Sequence, residues 1–185
     1  MNYGIYKSAR NSTWQCLIDC GINELPIKPV QIAAHYGIVC RKLNKIDLCG
    51  SSGEIKKEND EICIFTDDSH TAERRRFTIM HELGHYVLGH LGDTPLSRSE
   101  HDCKPEEEQA ADRFAADMLM PACVLWGLDI HTPEEIANLC AVSIQAATIR
   151  AERMEVLYRR NKFLTHPLER RVYAQFSEFI QKHKF

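Results

Sequence analysis

The run His81-Glu82-Leu83-Gly84-His85 constrains this chain more than any other feature. Two histidines four residues apart stand one above the other on an α-helix. On a helix, two imidazoles so placed hold one Zn²⁺, and Glu82 sits beside them as a general base. The preceding residues Thr71 to Met80 contain neither Pro nor Gly, and Leu88 continues the face at i+7 from His81. A helix is therefore predicted across the motif. The competing reading is a surface helix with two exposed histidines. A third ligand decides between them, because a catalytic zinc site takes three protein ligands.

The segment Glu106 to Pro121 supplies the candidate. It is rich in Ala, Glu and Leu, acidic at its start and stopped by Pro121, so it reads as a second helix. Glu108, Ala111, Asp112, Ala115 and Leu119 fall on one face. The small Ala residues let this helix approach the first one closely. Glu108 then points at the metal, and Asp112, one turn on, accepts the second ring N–H of a ligating histidine. Glu106 and Glu107 point elsewhere, where negative charge suits a helix start. The alternative for Glu108 is one more solvated carboxylate of that helix start.

These two blocks carry a family resemblance. Arg75 to His85 reads R-R-F-T-I-M-H-E-L-G-H, and Glu108 to Pro121 reads E-Q-A-A-D-R-F-A-A-D-M-L-M-P. Together they resemble the ImmA/IrrE-type zinc metallopeptidases, over about Leu25 to Arg153. The resemblance implies one Zn²⁺ per chain, held by His81, His85 and Glu108, with Glu82 as general base. Asp112 stands where the family has Asn or Asp. It further implies a zincin-like core and a protein substrate, typically a helix-turn-helix transcriptional repressor whose cleavage derepresses mobile-element or stress genes.

Composition is compatible with this. A chain of 185 residues with 44% hydrophobic and 26% charged residues makes one sizeable core, or a domain with a small appendage. Its formal net charge of −3 argues against a general nucleic-acid binder. No window approaches the length of a membrane span, and Met1 to Lys7 lacks an apolar signal core, so a cytoplasmic location is expected. In that compartment the eight cysteines (16, 20, 40, 49, 63, 103, 123 and 140) are expected to be small core hydrophobes rather than a disulfide framework. Cys103, with His101 and Asp102, lies between the two site helices and is a further candidate to reach the metal.

The rest of the chain sorts into elements. Residues 8–20 read as a helix stopped by Gly21, and Pro29 starts another that ends at Gly37. Ile38 to Leu43, Gly53 to Ile55 and Glu61 to Phe65 read as strands, with a polar turn over Lys56 to Asp60. The expected class is α+β: a small antiparallel sheet packed on the His81–His85 helix, followed by a helical, helix-turn-helix-like region. The expected domains are 1–124 and 125–185. An edge of that sheet would accept an extended peptide as an added strand.

Residues 92–105 read as a polar loop, either a lid or a connector. Thr132-Pro133-Glu134-Glu135 starts a helix with Thr as N-cap, and Ser143 caps the next. Residues 132–185 carry nine Lys/Arg against six Asp/Glu, a net +3. That bias is too small to establish DNA contact, and direct DNA binding is not expected. Arg74-Arg75-Arg76 is read as a solvated or internally paired cluster rather than an anion site. His90 and His101, and more weakly Tyr86, are candidates to stabilise a tetrahedral intermediate, each set against a plain surface role. The alternative function is a non-catalytic zinc-binding module acting through its C-terminal helices. Glu82 weighs against it, since a structural metal site needs no base.

Overall fold

The computed structural model describes residues 3–44, 46–48, 51–91 and 105–184. They form two compact units, one of residues 1–12 and 28–115, the other of residues 13–27 and 116–185. The chain order is α1 (Tyr3–Asp19), α2 (Pro29–His35), β1 (Ile38–Leu43), β2 (Gly53–Glu58), β3 (Glu61–Asp67), α3 (Ala72–Val87) and α4 (Pro105–Leu119). It continues with α5 (Ala122–Gly127), α6 (Pro133–Cys140), α7 (Ile144–Arg159), α8 (Pro167–Gln175) and α9 (Ser177–His183). The class is α+β, as expected.

The sheet of the first unit is mixed, a correction to the antiparallel sheet that the sequence predicts. Its order is β1-β3-β2, with β1 parallel to β3 and β2 antiparallel to it. The reason lies in β3, where Cys63 to Asp67 are all buried, while β1 and β2 mix buried with exposed positions. The most apolar strand takes the middle, and the two charged strands take the edges. The turn is also tighter than expected. Asn59 and Asp60 alone make it, with φ of 50° and 65°, the two-residue geometry that matches strand twist.

Helix α3 lies on this sheet, and α2 packs beside β1 and α3. Gly53 of β2 sits under Thr78 of α3, and a Cβ there would also stand 2.7 Å from the Phe65 carbonyl oxygen. Thr71 caps α3 by accepting from the Arg74 N–H at 3.3 Å. Arg74 donates to Ser52 Oγ at 3.0 Å, and Arg75 to the carbonyls of Asp68 and His70. Both arginines are thus internally paired, as the sequence reading favours.

The second unit is helical. Thr132 and Glu135 form a full capping box at the start of α6, and Ser143 caps α7 by accepting from the Ala146 N–H. Its core includes Leu17, Met118, Leu119, Val124, Ile136, Met154 and Phe176. Buried within it, Arg150 donates to Asp117 Oδ1 at 2.7 Å. Cys16, Cys63, Cys123 and Cys140 are buried, and no disulfide occurs among the described cysteines. Burial, and then the charge of Cys63, push the Cys40 thiol up to about 11, so it is not a thiolate at neutral pH. Cys49 and Cys103 lie outside the described residues, as does the 92–104 stretch of the expected loop.

Arg150→Met would leave the Asp117 carboxylate buried without its cation. Loss of one partner of a buried pair costs about 3–5 kcal/mol, so the urea midpoint of the variant is expected to fall sharply. An unchanged midpoint would show that the pair adds no stability.

Candidate metal centre

Donor atoms of three residues converge between α3 and α4 of the first unit. His81 Nε2 and His85 Nε2 lie 3.1 Å apart. Glu108 Oε2 is 3.2 Å from the first, and Glu108 Oε1 is 3.4 Å from the second. Tetrahedral ligands about 2.0–2.1 Å from a zinc ion sit about 3.3 Å from one another. The three separations, the two to Glu108 running to different carboxylate oxygens, lie close to that value, and two imidazoles with one carboxylate are a donor set that zinc accepts. The residues present therefore fit a divalent metal. His85 is buried, while His81 and Glu108 are partly so.

Close helix packing makes this convergence possible. A Cβ at Gly84 would stand 3.1 Å from Phe114 Cδ1, 3.2 Å from Ala111 Cα and 3.3 Å from the Ala111 carbonyl oxygen. Ala111 and Ala115 are fully buried, as the small-residue face of α4 predicts. Asp112, one turn beyond Glu108, approaches His81 Nδ1 with Oδ1 at 2.9 Å. With the proton on Nδ1, this bond leaves the Nε2 lone pair facing the other two donors.

Glu82 is 7% exposed, so its carboxylate is largely withdrawn from bulk solvent. Its charge reaches His81. Burial alone pushes the His81 pKa down, but the Asp112 hydrogen bond and the charges of Glu82, Asp112 and Glu108 outweigh it. The net direction is upward. In the metal-free protein this contribution to stability is fully present below the ordinary histidine value, and it is lost as pH rises through the raised one. Metal binding runs the other way, because the ligand must shed its proton.

The remaining candidates fall elsewhere. The Tyr86 ring packs edge-on against Tyr36, 6.0 Å between centroids, which ties it to the end of α2. His90 meets His85 at Nδ1, the ring nitrogen not turned to Glu108, at 3.1 Å. It is neither a loose surface histidine nor aimed at the space between the three donors. His101, Asp102 and Cys103 lie outside the described residues.

Residues 34–152 match the family model of the IrrE N-terminal-like domain, Peptidase_M78. The chain belongs to this metallopeptidase family. The match covers β1 to β3, the α3 motif and α4, so the three convergent donors lie within the IrrE-like segment. Among curated proteins no sequence matches the chain. Membership of a peptidase family implies a protein or peptide substrate. No helix among the described residues is long and apolar enough to cross a membrane.

Two outcomes are expected here. Gly84→Val overpacks the α3–α4 contact at a cost of about 1–3 kcal/mol, and zinc affinity should drop about tenfold or more by chelator competition. Zinc affinity of the wild type should also fall as pH drops through the raised His81 value, by about tenfold per pH unit for each proton displaced. A flat profile between pH 8 and 6 would contradict the protonation of His81.

Proposed function

We propose that this chain is a zinc-dependent endopeptidase. One Zn²⁺ is held by His81 Nε2, His85 Nε2 and the Glu108 carboxylate, with Glu82 as general base and Asp112 orienting His81. The observation that carries this reading is the convergence of those three donors at 3.1–3.4 Å, with a largely buried carboxylate next in sequence to His81. When bound, zinc supplies Lewis acidity toward the scissile carbonyl and makes water easier to deprotonate.

The chain does the rest. Glu82 takes the proton of the attacking water and returns it to the leaving amine. Its low exposure suits both halves of that exchange, since a carboxylate shielded from bulk water keeps the proton it has taken. Asp112 holds His81 in the tautomer that presents Nε2. An extended substrate segment would be held as an added strand on an edge of the sheet, where backbone pairing gives affinity without reading sequence.

The substrate is proposed to be a helix-turn-helix transcriptional repressor. Its cleavage would derepress mobile-element or stress genes, and a cytoplasmic location goes with that target. The second reading is a non-catalytic zinc module acting through its C-terminal helices. It has one observation in its favour, because α7 exposes Ile144 and Ile149, at 53% and 62%. Glu152 and Glu155 on the exposed side of the same helix disfavour DNA as the partner.

Two variants separate these readings. Glu108→Ala should lose most of the roughly one zinc per chain expected of the wild type, by elemental analysis. Glu82→Gln should keep that zinc and lose cleavage by a factor of about 10²–10⁴. Repressor disappearing as fast with Glu82→Gln as with wild type, in co-expression, would sink the peptidase reading.

A further inference from the structure

Helix α3 ends in a turn that reaches back to the metal centre. Gly89 is left-handed, with φ of 74°. Its N–H donates to the Tyr86 carbonyl at 3.2 Å, and the His90 N–H donates to the His85 carbonyl at 2.9 Å. This is the paired-bond Schellman ending, which brings the last residue of the turn onto the final turn of the helix.

Three other helices end with the same pair of bonds. At α1 the residues so joined are Leu17 and Ile22, at α5 Leu125 and Ile130, and at α7 Leu157 and Lys162. The first two are aliphatic couples, the usual filling of this motif, and the third pairs Leu157 with the exposed Lys162. At α3 the couple is His85 and His90. Their Nδ1 atoms are 3.1 Å apart, and their rings meet edge-on with centroids separated by 5.2 Å. The same two residues are thus joined by backbone and by side chain.

The tautomers follow from the neighbours. His85 Nε2 faces His81 Nε2 and Glu108 Oε1, so as a metal ligand it must offer a lone pair there. The one proton of a neutral imidazole then sits on Nδ1. That N–H needs an acceptor, and His90 Nδ1 is in place to be one, with its own proton on Nε2.

We propose that His90 is a positioning residue, which accepts from His85 Nδ1–H and locks His85 in the tautomer that presents Nε2 to a metal ion. Gly89 sets the turn that delivers it. Asp112 does the same for His81, but as a carboxylate; His90 orients its partner without adding negative charge. The proposal rests on the metal-centre reading, and goes beyond it in giving the second ligand its own support.

The test compares zinc dissociation constants, by chelator competition, for wild type, His90→Ala and His90→Asn. Asn Oδ1 stands about where His Nδ1 stands and accepts a hydrogen bond. His90→Ala is expected to weaken zinc about 10–100-fold and to shift the visible absorption of the Co²⁺-loaded protein. His90→Asn should recover most of both.

Wild-type affinity in His90→Ala overturns the proposal, and so does His90→Asn no better than His90→Ala. If neither variant folds, nitrogen-15 spectra of the zinc-loaded wild type decide the matter. Protons on His85 Nδ1 and His90 Nε2 support it, and a proton on His90 Nδ1 overturns it. A wild type that takes up no zinc would sink the metal-centre reading and this one together. Zinc-binding wild type with an unaffected His90→Ala sinks this one alone.

Discussion

The contact between Gly84 and Ala111 sets the distance on which the metal centre depends. Gly84 lies three residues after His81 and one before His85; Ala111 lies three after Glu108 and one before Asp112. The point of closest helix approach is therefore level with the ligands on both helices. Any widening there passes directly into the separation of the Glu108 carboxylate from the two imidazoles. Helix axes ordinarily pack 8–10 Å apart, and small side chains at the contact give the lower end of that range. Bulk at Gly84 or Ala111 would leave each helix intact and still take the three donors apart. The sheet fixes α3 in the same manner, through Gly53 under Thr78.

Charge balance supplies a second constraint. The carboxylates of Glu82, Glu108 and Asp112 all act on His81, and together with the Asp112 hydrogen bond they outweigh the cost of burying a charged imidazole. The centre is thus built for more positive charge than its neutral histidines supply. A proton on His81 partly meets that demand, and a divalent cation meets it more fully. The same electrostatics that raise the pKa also favour the metal, so proton and metal compete for one place.

Much of this was legible because it is written in helical spacing. The four-residue interval of His81 and His85, the face shared by Glu108, Ala111 and Asp112, and the caps Thr132 and Ser143 are local patterns. Each depends on residues within a few turns. Strand order is not such a pattern. Short apolar runs beside a polar turn marked β1, β2 and β3 as strands, but which of them takes the middle depends on burial at both faces. The run Cys63-Ile64-Phe65 carried that signal, and its meaning shows only once β1 is seen beside it, paired in parallel. The surroundings of His90 are illegible for a related reason. Nothing in Leu88-Gly89-His90 as a sequence says that the helix ending folds its last residue back onto His85.

The two histidines end up supported in different ways, and this links folding to metal binding. His85 takes its partner from the turn five residues on, within a structure that α3 and its cap build alone. His81 takes its partner from Asp112, thirty-one residues away on α4. Glu108 comes from the same helix. If α4 lifted away, the centre would lose a ligand and an orienting carboxylate in one step, while the His85–His90 couple stayed in place. With the proposed ligand set, docking of α4 and completion of the site would be one event, and metal affinity would become part of the free energy that holds α4 down. Each half of the constellation is incomplete by itself, since α3 offers two imidazoles and α4 the carboxylate that turns them into a three-ligand site.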